Sequence, residues 1–192
     1  SIQLNGGDPA ALRTEHKIAA LAQNPALLPR ITTEENINLA RMFLNSNVSR
    51  IEVEESLRMV NLAAAAKTYP KELSGGMQQR AALARLLASN AELWLMDEPF
   101  AAVDELNREE LSSTLREIWE PIHPTVLWVT HNIPEALRLA DRVLVFSPSP
   151  GRIIGDIPVD LPRPHNEADP RFHSIAASIR DLLRTSKNAE PN

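Results

Sequence analysis

Two stretches, ELWLM at 92–96 and TVLWV at 125–129, are uninterrupted apolar runs of strand length. A half-buried strand alternates; a run without alternation is the mark of a strand buried on both faces, as in a parallel sheet. Between the two runs, from about Glu105 to Glu120, Leu111, Leu115 and Ile118 recur at helical spacing, with Asp104 placed to cap the helix start. After the second run, Asn132 and Glu135 make a capping box for IPEALRLA, and RVLVFS and GRIIGDI predict two more strands around the turn PSPG. Strand, helix, strand, helix, strand is an α/β signature.

Upstream, SIQL predicts a short strand, NGGDP a turn, and KIAALAQ at 17–23 a second strand that PALLPR ends. Thr32 with Glu35 fits a capping box, and Ile37, Ala40 and Leu44 then share one helical face. Ser49 with Glu52 repeats the device ahead of Val53, Leu57 and Val60, so residues 32–89 are expected to be mostly helical. Downstream, IPVDLPRP at 157–164 is too rich in proline for a central strand and is expected along an edge or over the surface. Asp169-Pro170 starts a last helix with Phe172, Ile175, Ile179 and Leu182 on one stripe, and the tail from Thr185 is expected to be loose.

A chain of 192 residues can bury one sizeable domain with a subdomain. Twenty basic against 25 acidic residues leave a net charge of −5, which argues against nucleic acid as a main partner. There is no cysteine, hence no disulfide or thiolate metal site, no apolar run near the ~18 residues that span a bilayer, and no charged-then-apolar leader. These features lead to the expectation of a soluble, intracellular domain.

The chemistry gathers at a few positions. In LSGGMQQR, residues 73–80, Ser74 can cap a helix whose apolar positions run from Met77 to Leu87, while Gly75 and Gly76 leave its first amides uncovered. Free N–H groups at the positive end of a helix dipole suit a phosphate. Asp97 and Glu98 sit at the C-terminal end of the 92–96 run, where open α/β sheets place their ligands. Adjacent carboxylates there call for a cation; with Mg²⁺, one would hold the ion and the other orient or deprotonate a water. His131, 34 residues on, ends the next strand and can reach the same pocket. Each feature alone has a plain reading: a capped turn for the acidic pair, a turn histidine, a loop entering a helix.

In combination these segments resemble the ATP-binding subunit of ABC transporters. LSGGMQQR looks like the family signature, LWLMDEP the Walker B strand, AAVD at 101–104 the D-loop, VTHN the H-loop and AQNPALLP the Q-loop, all in family order, with Ser74 23 residues before Asp97. The resemblance runs from about residue 1 to 184. It implies a P-loop nucleotide-hydrolase fold lacking its N-terminal part, with a core at 1–23 and 91–161, a helical signature subdomain at 24–90, and an edge segment, helix and tail at 162–192. It further implies ATP and Mg²⁺ as cofactors. Gln23 would touch the metal and its water shell, Asp97 would serve the metal, Glu98 would be the general base, and His131 would contact the γ-phosphate. Ser74, Gly75 and Gly76 would bind the γ-phosphate of ATP held by a second subunit, Gln78 would lie close to those contacts, and Asp104 would bridge the subunits. The implied partners are a second ATP-binding subunit, transmembrane permease subunits and, indirectly, a solute-binding protein, with the chain peripheral on the cytoplasmic face of the membrane. FSPSPGRI, IPVDLPRP and TTEENINLA resemble the importer branch for nitrate, sulfonate, taurine and bicarbonate.

The phosphate loop G-x-x-x-x-G-K-[ST] has no counterpart, since none of the lysines, 17, 67, 71 and 187, follows a glycine. An incomplete subunit that starts after that loop is expected to leave a gap or exposed edge in its sheet and not to hydrolyse ATP alone. The alternative is a degenerate half that only donates its signature motif. DNA-repair and chromosome-organising ATPases share the motifs but carry heptad arms and basic surfaces, and this chain has neither. A plain interaction domain that uses the fold as a scaffold is a further alternative.

Overall fold

The computed structural model describes residues 8, 10, 17–42, 52–101, 103 and 105–188, without the side chains at 105–107, 187 and 188. The strand expected in SIQL, Ser49 of the second capping box and Asp104 lie outside the described residues. The chain divides into two compact units, Ser1–Val129 and Thr130–Asn192.

The first unit holds β1 (Ile18–Leu21), β2 (Leu93–Asp97) and β3 (Thr125–Val129), all parallel, in the order β1-β2-β3. Leu21 lies opposite Met96 and Asp97 opposite Val129, so the three carboxyl ends leave the sheet along one edge. Central β2 buries Leu93, Trp94 and Met96 on both faces, as its unbroken apolar run predicts. β3 departs from that expectation. Its residues alternate between exposed and half-buried, with Leu127 56% and Val129 52% exposed. Its only described neighbour strand is β2, and one of its faces is left uncovered. On the other face Trp128 meets the buried Phe100 edge-to-face, ring centroids 5.0 Å apart.

Helices α1 (Thr33–Met42), α2 (Val53–Met59) and α3 (Gly75–Ala88) lie between β1 and β2, with 3₁₀ turns at Ala63–Ala65 and Pro70–Glu72; α4 (Glu105–Ile122) follows β2. α1 starts with the expected box: the Thr32 amide donates to Glu35 Oε2 at 2.7 Å, and the Glu35 amide to Thr32 Oγ1 at 3.4 Å. The Thr32 amide thereby holds the Glu35 carboxyl below its usual range. α2 starts otherwise. Glu52, expected inside the first turn, stands at its N-cap, and its carboxylate forks onto Arg41 at 2.6 and 2.9 Å, which removes it from the capping role. α3 packs on α1, α2 and β1 and buries Ala81, Leu83, Ala84 and Leu87.

Fully buried Asn36 fastens the chain ahead of α1. Its Oδ1 accepts from the Leu28 amide at 2.7 Å, and its Nδ2 donates to the carbonyls of Leu28, Ile31 and Thr32 at 3.1, 3.2 and 3.0 Å. Asn36→Leu fills the same space but orphans one amide and several carbonyls. It should cost about 2–4 kcal/mol, read as a lower urea midpoint at unchanged slope.

In the second unit β4 (Arg142–Phe146) and β5 (Ile153–Pro158) pair antiparallel, with Val145 opposite Gly155. α5 (Ile133–Leu139) and α6 (Pro170–Asn188) complete it around Leu137, Val145, Val159, Leu161, Phe172 and Ile179. α6 closes directly on the ribbon: a Cβ on Gly155 would stand 2.6 Å from Leu182 Cδ1. Two expectations change here. α6 continues past Thr185 to Asn188, because nothing in TSKN breaks a helix. Ile157 and Pro158 run along an edge as the end of β5, as expected, but the residues beyond turn Val159 and Leu161 into the core instead of lying over the surface.

Candidate nucleotide-facing site

The parallel register places a first group of candidate residues. β1 ends at Leu21 opposite Met96, so Gln23 and the Asp97-Glu98 pair follow the carboxyl ends of neighbouring strands at the same edge. Gln23 and Asp97 are exposed, and among the described residues no hydrogen bond or ion pair occupies the Asp97 carboxylate. A carboxylate in that position suits a hard cation that takes one protein oxygen and keeps water or phosphate as its other ligands.

Glu98 is held differently. Its φ is 43°, in the left-handed region that costs a side chain roughly 1–2 kcal/mol. Its amide donates to the Val129 carbonyl at 2.8 Å and its carbonyl accepts from Ala101 at 3.1 Å, so the turn is pinned to the end of β3. The Phe100–Trp128 pair backs it. Strain at a single residue, over-determined by its surroundings, is characteristic of functional positions.

A second group is the start of α3. Ser74 is the N-cap, its Oγ accepting from the Met77 amide at 3.3 Å. Gly75 and Gly76 have no positive φ, and a Cβ built on either meets no atom within 4 Å. Neither packing nor backbone conformation in this chain requires glycine there, although in a helix interior each glycine costs up to about 1 kcal/mol against alanine. Within this chain the space above these amides is open. Gln78 does not point its amide that way: Nε2 donates to the carbonyls of Pro70 and Leu73 at 3.0 and 3.2 Å, bracing the turn that leads into Ser74. Its contribution here is to the loop's shape.

His131 belongs to the second unit, exposed, just ahead of Asn132, whose Oδ1 accepts from the Glu135 amide at 3.0 Å and caps α5. Among the described residues no three acidic or histidine side chains converge as a metal cluster.

The family model described as ABC transporter matches residues 1–101. The chain belongs to the ABC transporter family. It is 41% identical over 165 residues to the aliphatic sulfonates import ATP-binding protein SsuB of Bacillus licheniformis, covering 86% of this chain and 64% of that protein. To the nitrate import ATP-binding protein NrtD of Synechococcus elongatus it is 42% identical over 170 residues, covering 84% and 62%. To the taurine import ATP-binding protein TauB of Rhizobium johnstonii it is 39% identical, covering 86% and 67%. The chain thus spans 62–64% of the length of the first two of these relatives. Its fold matches the ATP-binding cassette MJ0796, solved as a dimer in a post-hydrolysis state bound to ADP and Pi, with a TM-score of 0.67 at 31% identity over 82% of this chain and 70% of that one.

Reading the sequence left two contributors unseen. Asn36 and Arg85, whose side chain donates to the carbonyls of Pro25 and Ala26, both act on the backbone after Gln23. The signal for Asn36 was available, since it shares the face of Thr33, Ile37 and Ala40. Gln79 carries a related message: it is 2% exposed, and neither end of its amide has a partner among the described residues. Gln79→Leu should therefore stabilise the first unit by about 1–2 kcal/mol, visible as a raised thermal midpoint.

Proposed function

We propose that this chain is the nucleotide-handling part of an importer's ATPase subunit, working on ATP with Mg²⁺. Glu98 serves as general base, Asp97 and Gln23 attend the metal, and His131 contacts the γ-phosphate. Ser74, Gly75 and Gly76 receive the γ-phosphate of ATP held by a second ATP-binding subunit, with Asp104 at the bridge between subunits. Bound Mg²⁺ would neutralise charge on the phosphates and order water around them. The solute class is nitrate, sulfonate, taurine or a similar small anion, by the names of the relatives. Transmembrane permease subunits would be driven by the pair, with a solute-binding protein upstream; among the described residues no helix is long and apolar enough to cross a membrane.

One observation carries this reading: two glycines open the α3 helix where nothing in the chain itself needs them. The decisive experiment is sedimentation of the chain with a full-length relative, with and without Mg²⁺-ATP. Pairing that appears only with nucleotide is the expected result; equal sedimentation in both conditions would overturn the reading.

A further inference from the structure

The turn after Gln23 has a shape that its own residues do not favour. Ala26 stands at φ 47°, a conformation that residues with a Cβ rarely adopt. Three contacts hold it there. Asn24 Oδ1 accepts from the Ala26 amide at 3.0 Å. From α3, Arg85 donates through Nη2 to the Pro25 carbonyl at 2.8 Å and through Nη1 to the Ala26 carbonyl at 2.9 Å, one on each side of the strained residue.

Arg85 is half-buried, and among the described residues no carboxylate pairs with it. Loss of hydration pulls its pKa down. Withdrawing a cation from water towards neutral carbonyls is a poor exchange for stability alone. A planar fork, however, matches two neighbouring carbonyls in a way that a single ammonium cannot. The helix that carries this fork also starts at Ser74, Gly75 and Gly76, about 15 Å up its axis from Arg85. One rigid element thus bears the open amides at one end and the grip on the Gln23 turn near the other.

We propose that Arg85 is a positioning residue: it makes the turn at 24–28, and Gln23 with it, follow helix α3, so that engagement of the helix start is linked mechanically to the placement of Gln23. The link to nucleotide rests on the function proposed above; the pinning of the turn does not.

Hydrogen exchange on the full chain tests the pinning. Arg85→Met should speed exchange of the Ala26 and Leu28 amides by about tenfold or more, with the amides of residues 80–88 staying within about twofold. Arg85→Lys should fall between, since it keeps the charge but offers one point of attachment. Ala26→Gly removes the strain, so adding Arg85→Met to it should speed the two amides by less than about threefold. The pinning is overturned by unchanged Ala26 and Leu28 exchange, by a parallel rise along α3, or by the same factor in both backgrounds. A second arm adds Mg²⁺-ATP and a full-length relative. In the wild type, exchange should slow at residues 76–78 and shift at Ala26; in Arg85→Met only the former should occur. If both changes persist in Arg85→Met, the mechanical link is wrong. If the wild type shows neither, the pairing reading fails and the nucleotide link fails with it, while the first arm still decides the pinning.

Discussion

Ser74→Arg should reduce ATP-dependent pairing with a full-length relative by about 100-fold or more while the chain stays folded. The two outcomes separate because of what Ser74 does locally. Its hydroxyl caps α3 through the Met77 amide, and losing a cap costs only about 1 kcal/mol. The rest of the helix is secured by Ala81, Leu83, Ala84 and Leu87 in the core. An arginine at the N-cap instead fills the open space above Gly75 and Gly76 with a long side chain and places a cation at the positive end of the helix dipole. Gly75→Ala and Gly76→Ala make the complementary test. Each added methyl meets nothing within the chain, so thermal stability should hold or rise by up to about 1 kcal/mol, whereas pairing should weaken as the phosphate is kept from the amides. Loss of pairing together with loss of stability in the alanine variants would mean that the glycines serve the fold, and the site would have to be sought elsewhere.

The strand-length apolar runs and the recurrence of Leu111, Leu115 and Ile118 marked the elements of the core well, because burial on a regular lattice leaves a period in the sequence. The same reasoning misjudged β3. TVLWV is as continuously apolar as LWLM, yet Leu127 and Val129 are exposed, since hydrophobicity reports what a side chain tolerates and not which neighbour covers it. The capping box was legible at Thr32–Glu35, whose glutamate turns back to its own helix start, and misleading at Glu52, where Arg41, eleven residues upstream, captures the carboxylate. At the candidate site, the residue types at 74–76 and 97–98 were visible as motifs. What holds them was not: Gln78 bracing Pro70 and Leu73, Arg85 gripping Pro25 and Ala26, and the left-handed backbone at Glu98 are pairings across the fold or conformations with no periodic trace.

Glu98 offers the sharpest separation of stability from activity. Moved into a chimera in which residues 1–192 replace the matching stretch of a full-length relative, Glu98→Gln should lower ATP turnover by about 100- to 10,000-fold, the usual share of a general base. ATP-dependent pairing should persist, because an amide of the same length leaves the turn and the α3 start untouched. Glu98→Gly should be equally inactive but should not be less stable. The φ of 43° costs a side chain roughly 1–2 kcal/mol, and glycine escapes that cost while losing about 0.4–1 kcal/mol through the greater freedom of the unfolded chain. The balance lies between zero and a gain of about 1.6 kcal/mol, whereas the same replacement at an ordinary extended position would be destabilising. Glu98→Asn, which installs a side chain at ease in the left-handed region, should gain without the glycine entropy. Turnover above about a tenth of wild type in Glu98→Gln would remove the carboxylate from the chemistry. A drop of several degrees in the midpoint of Glu98→Gly would show that the side chain stabilises the turn, and that the strained backbone is a by-product of packing and not a device of the site.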